Sequence, residues 1–207
     1  MRGGRGDGGH FAAPAVIKAY WLCLTVSTVL AGGLASIAVD PAWAQTTTTI
    51  GSGESLAATS LTTNAGDVIT NAGTVTVSAG GTLDNSGTVT NNGTFNADVN
   101  NTGAAALITN NANATWNGNL LSNTGGATVN NGGTWNGDAN NASIVTNSGT
   151  WTTTSAGFTN SGALTTTGTL DATNGGLTNR GTVNASGVID GPINNTFGNF
   201  NVTGNLV

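Results

Sequence analysis

Apolar residues recur along this 207-residue chain at a nearly constant interval. Val75, Phe95, Trp116, Trp135, Trp151, Leu170, Ile189 and Leu206 are separated by 20, 21, 19, 16, 19, 19 and 17 positions, and most of them follow Gly-Thr. A second column stands six positions earlier, at Val89, Val129, Val145, Leu164, Val183 and Phe200. It breaks at the Trp116 unit, where Asn110 occupies that offset and Ile108 lies nearby. A looser third column, Leu83, Leu121, Phe158, Leu177 and Ile193, lies twelve to fourteen positions before the first. Each unit therefore carries three apolar positions and is too short to bury them alone. Units of this kind hide their apolar side by stacking on their neighbours, which is the definition of a solenoid.

The residues between the columns decide which solenoid. Thr, Asn and Gly dominate, and all three are poor helix formers. No 3.6-residue periodicity is present, whereas short pieces such as Thr74–Val77 (TVTV) alternate as half-buried strands do. The expected fold is all-β: a parallel β-solenoid of three short strands per coil, with Gly and Asn at the corners where left-handed backbone is tolerated. Steps of 16 to 21 residues suit a right-handed three-sided coil better than a left-handed one with a strict multiple of six. The 163 residues after Ala44 (207 − 44) make about eight coils and a rod of about 40 Å. Trp116, Trp135 and Trp151 are expected to stack. Asn141, Asn160 and Asn179, 19 apart twice over, are expected to form an amide ladder at one corner. Repeats are expected over residues 71–207. The less regular segment 45–70 reads as a lead-in or N-terminal cap.

Residues 1–44 read as a signal peptide, with a basic start through Lys18, an apolar helix over Ala19–Val39, and an Ala-x-Ala site at Ala42-Trp43-Ala44. An uncleaved anchor is the alternative, since the apolar run is long enough to span a bilayer. Beyond Ala44 there is no Cys, His or Lys, so neither a disulfide nor a His/Cys zinc site can form there. Only 6% of the chain is charged and the net charge is −5. Arg180 is the one cation after the leader, so nothing is available to hold a nucleic-acid backbone.

The unit Asn-x-Gly-Thr-Φ, as in Asn91–Phe95 and Asn147–Trp151, resembles the passenger domains of bacterial autotransporters and filamentous-haemagglutinin-like adhesins. The resemblance covers about Leu61 to Val207. It implies a right-handed β-helix on or beyond the outer membrane of a Gram-negative cell, and adhesion to glycans or surface proteins. The family's C-terminal barrel translocator has no counterpart before Val207. The expectation is therefore an N-terminal part of a longer protein or a truncated frame, periplasmic in the latter case, whose last coil is open to self-association.

The carboxylates after the leader are Glu54, Asp67, Asp84, Asp98, Asp138, Asp171 and Asp190. Asp171 and Asp190 follow column residues 19 apart and should sit one coil apart. Such a pair suits calcium or glycoside hydrolysis in principle, but solvated turn residues are the simpler reading. No nucleophile constellation exists without His or Cys, so no catalytic, cofactor-binding or metal residue is assigned. The expected function is a non-catalytic structural or adhesive rod. A threonine-array ice binder is the first alternative, with Thr152–Thr154 and Thr165–Thr167 as its hint, and a polysaccharide-acting enzyme is the second.

Overall fold

The computed structural model describes residues 24–27 and 45–207. The motif Ala42-Trp43-Ala44, expected to be a cleavage site, and the other residues of 1–44 apart from 24–27 lie outside the described residues. Of the span expected to be an apolar helix, Ala19–Val39, only Leu24–Ser27 is described, and it is not helical but a strand, β1, whose backbone pairs in parallel with Thr46–Thr49 and covers that sheet edge.

The first coil is β2 (Thr46–Ile50), β3 (Ser55–Ala58) and β4 (Leu61–Thr63). The second is β5 (Val68–Asn71), β6 (Thr74–Val77) and β7 (Thr82–Asn85). The same order repeats through eight coils to Ile193–Asn195, and Asn199–Val202 and Asn205–Leu206 begin a ninth. Each strand hydrogen-bonds in parallel to its equivalents in the coils above and below, giving three sheets of ten, nine and eight strands. Successive strands of the chain thus lie on different faces, and the sheets are built entirely from pairings about one period apart. The stack already starts at Thr46, because β2, β3 and β4 pair in register with the strands of the next coil and bury Ile50, Leu56 and Leu61 against the interior.

The second face carries the aromatic column. Leu56, Val75, Phe95, Trp116, Trp135, Trp151, Leu170, Ile189 and Leu206 are consecutive register partners. The rings of Phe95, Trp116, Trp135 and Trp151 stack face to face, with centroids 4.3, 4.7 and 4.5 Å apart and planes within 9°. Phe158 meets Trp151 edge-on at 5.2 Å. The coil spacing of about 4.8 Å enforces this near-parallel stacking. Each indole also disposes of its polar N–H: Trp116, Trp135 and Trp151 donate at 2.9 Å to the carbonyls of Ala97, Gly118 and Gly137 in the preceding coil. Burying each indole contributes about 2–3 kcal/mol.

On the first face the column runs Ile69, Val89, Ile108, Val129, Val145, Leu164, Val183 and Phe200 without a break. Ile108, not Asn110, is the inward residue of the Trp116 unit. The turn from Asn110 to Thr115 is two residues longer than its equivalents in the second, third and fifth to eighth coils and passes through Asn113, at φ 68°. On the third face the column is Leu61, Leu83, Val99, Leu120, Ala139, Phe158, Leu177 and Ile193. Leu121 does not belong to it. The register shifts after Val99 and again after Leu120. This bulge buries Leu120 (1% exposed) and turns Leu121 outward (41% exposed).

Asparagines close two corners. Asn85, Asn101, Asn123, Asn141, Asn160, Asn179 and Asn195 form one ladder, each Nδ2–H donating to the Oδ1 of the next at 2.7–2.9 Å. A second ladder, absent from the sequence expectations, joins Asn71, Asn91, Asn110, Asn131 and Asn147 at 2.8 Å and ends on the Thr166 hydroxyl. Asn110 is thus a ladder residue. The same amides reach across the corner to backbone carbonyls of the following face, as Asn131 does to Thr150 at 2.9 Å. Among the described residues no buried side-chain nitrogen or oxygen lacks a partner. The repeated glycine before Thr-Φ answers to a different constraint from the expected left-handed backbone. A Cβ on Gly149, Gly168 or Gly187 would strike the carbonyl oxygen of its equivalent one coil earlier.

Candidate functional site

Burial uses one side of every strand, so the outward positions form files with the same coil repeat. On the second face, Thr74, Thr94, Thr115, Thr134, Thr150 and Thr169 are register partners in an unbroken file. Beside it, Asn136 donates to Asn117 at 2.9 Å and Asn117 to Asn96 at 2.8 Å, an outer amide ladder. On the first face the outward file reads Thr49, Thr70, Thr90, Thr109, Asn130, Thr146, Thr165 and Asn184. No charged residue interrupts either threonine file.

The runs Thr152–Thr154 and Thr165–Thr167 do not make one array. Thr152 points outward on the second face and Thr165 outward on the first. Thr153 is buried and bonds to the Asn174 carbonyl, and Thr166 terminates an inner ladder. The second-face file comes instead from the threonine that precedes each residue of its apolar column, mostly as Gly-Thr-Φ, and the first-face file from the residue that follows its own column. The signal for both was in the sequence, as the residue immediately before the second-face column and immediately after the first-face one.

Asp171 and Asp190 are register partners, as their spacing indicates. Asp171 Oδ1 accepts from the N–H and hydroxyl of Thr173, at 3.1 and 2.6 Å, which makes it a turn residue. Among the described residues no three of His, Cys, Asp and Glu gather closely enough to hold a metal ion. Other acids bind backbone: Asp67 accepts from the amides of Thr46 and Asn64, both at 2.8 Å, Asp98 from Asn119 at 2.7 Å, and Glu54 from Gly51 at 2.7 Å.

The most elaborate corner is at Asp138, between the second and third faces. The turn from Thr153 to Gly157 wraps its carboxylate. The amides of Thr154, Ser155, Ala156 and Gly157 donate to it at 2.9–3.1 Å, and the hydroxyls of Thr154 and Ser155 at 3.2 and 3.0 Å. Partial burial pushes this carboxyl up, but the four amides outweigh it and hold the group far below the usual carboxylate range. The corner belongs to a short relay, since the Asp138 amide donates to Asn119 Oδ1 at 2.8 Å. Next to it opens a cleft of about 330 Å³, lined on one side by Leu121 and on the other by Ala156 and Gly157. Sequence reasoning saw Asp138 only as a turn residue, because its partners lie 16 to 19 positions downstream.

Compared with known protein families, curated proteins and solved structures, the chain matches none. Its assignment as a parallel β-solenoid of eight coils therefore rests on its own strand pairing.

Proposed function

We propose that the chain is a secreted or surface-exposed rod of the autotransporter-passenger type, non-catalytic and adhesive or structural in role. The observation that supports this reading is the continuous register from Thr46 to Leu206 on all three faces. A rod stacked on itself at about 4.8 Å per coil keeps its outward side chains at fixed separations, which suits display and multivalent attachment. Hydroxyls and amides cover it in place of charge, so its partners are neutral glycans or surface proteins. Fractionation of expressing Gram-negative cells, with N-terminal sequencing and protease shaving, tests the address: a chain beginning at Gln45 and outside the inner membrane is expected. A chain retained in the cytoplasm with its first residues intact would overturn it. Adhesion of protein-coated beads to cell monolayers tests the role.

A second reading has one specific observation in its favour, the unbroken file from Thr74 to Thr169. Regular, flat ranks of hydroxyl and methyl groups are what an ice-binding solenoid presents. Thermal hysteresis that disappears in Thr115→Lys would select this reading, and no hysteresis at millimolar protein would eliminate it.

A further inference from the structure

Three departures from the regular coil meet at one place. The bulge on the third face throws Leu121 outward. The turn Thr153–Gly157 is bonded onto Asp138 of the preceding coil, and its Ala156 and Gly157 form an opposing wall. Between them the inward column holds only Ala139, where neighbouring coils place Leu120 and Phe158. Together they make a cleft of about 330 Å³, at the lower bound for small-molecule sites. Bulges recur next to binding sites because they re-aim a side chain without breaking the sheet, and here the side chain aimed out is the cleft's apolar wall.

The chemistry of the lining narrows the occupant. The Asn119 Nδ2, the Asn140 amide and the Thr159 hydroxyl border the cleft, and none of them hydrogen-bonds within the chain among the described residues. The Asp138 oxygens are already saturated by six donors, so they offer nothing to a cation. No Lys or Arg lines the cleft to attract an anion. A wholly apolar guest would strip water from unpaired amides at a cost of about 1–3 kcal/mol each. What remains is a neutral polyol with one apolar face. We propose that this cleft seats a neutral pyranose ring of a glycan, its C–H face on Leu121 and its hydroxyls on Asn119, Asn140 and Thr159. The site deepens the adhesive reading and rests on it.

The probe is a printed array of neutral oligosaccharides ending in glucose, galactose or mannose, with sialylated and uronate-bearing glycans as an anionic arm. The purified protein is expected to bind neutral members, and Leu121→Asp and Asn140→Ala are each expected to lose at least tenfold in affinity. Both residues are outward-facing, so unchanged circular dichroism and melting should show the rod intact, and Thr134→Val, on the second face, is expected to bind as the parent does. Full binding by both cleft variants, binding only to the anionic arm, or no binding to any array member would each overturn the proposal. The bead assay separates that failure from failure of the adhesive reading. Beads that adhere to monolayers regardless of Leu121→Asp leave the rod adhesive and the cleft wrong, whereas beads that adhere nowhere end both.

Discussion

Trp116 and Trp135 occupy the same position in consecutive coils, with ring centroids 4.7 Å apart and planes within 8°. Between Phe95 below and Trp151 above, they form a four-ring stack whose spacing is set by the backbone pairing of the coils.

Indoles held parallel at this distance couple electronically, so the native protein is expected to show an exciton couplet in ultraviolet circular dichroism. Trp135→Leu splits the stack and should abolish most of the couplet while keeping the β spectrum. It also leaves space beside two indoles and should cost about 2–4 kcal/mol. A couplet of unchanged size in this variant would contradict the stacking.

The inner and outer amide ladders should respond differently to the same substitution. Asn131 accepts from Asn110 and donates to Asn147 and Thr150, all away from solvent. Asn131→Ala strands buried partners at about 1–3 kcal/mol each. Asn136 sits in the exposed ladder with Asn117, and Asn136→Ala should stay within about 0.5 kcal/mol of the parent. Urea unfolding of the two variants checks the contrast.

Leu120 and Leu121 are adjacent in the chain and opposite in role. Leu120→Ala should cost about 2–5 kcal/mol through the cavity it leaves, and Leu121→Ala about 0.5 kcal/mol or less. Equal melting temperatures would place the bulge elsewhere.

The Asp138 corner predicts a dependence on pH. Its folded carboxyl is held far below the ordinary value by four amides, so the ionised form is the one the fold favours. A group depressed on folding contributes stability that is fully present above its unfolded value of about 4 and is lost as pH falls through the folded value. Asp138→Asn should therefore lower the melting temperature at pH 7 and narrow its gap from the parent at pH 2–3. A gap that stays constant with pH would assign the corner's stability to something other than charge. Asp138→Ala is accordingly more disruptive than a turn position suggests, though Trp135→Asp, which buries an unpaired charge, should remain the worse of the two.

The sequence by itself determined the period, the coil number and most of the core. Apolar residues 16 to 21 apart have nowhere to go but against one another, and parallel pairing then fixes the second-face column from Val75 to Leu206. One ladder was visible because Asn141, Asn160 and Asn179 keep an even spacing, whereas Asn71 to Asn147 was hidden by turns of unequal length. Tertiary structure alone decided three things: that Leu120 rather than Leu121 faces inward, that Ile108 completes the first-face column, and that Asp138 organises a turn 16 to 19 residues away. For Ile108 the reason is a longer turn before Trp116, and for Asp138 it is that the donors to its carboxylate come from the next coil; for Leu120 it is the pleat. Side chains alternate every two residues along a strand, so a single inserted residue inverts the local pattern, and only the hydrogen bonds to the neighbouring coil record where the insertion was absorbed.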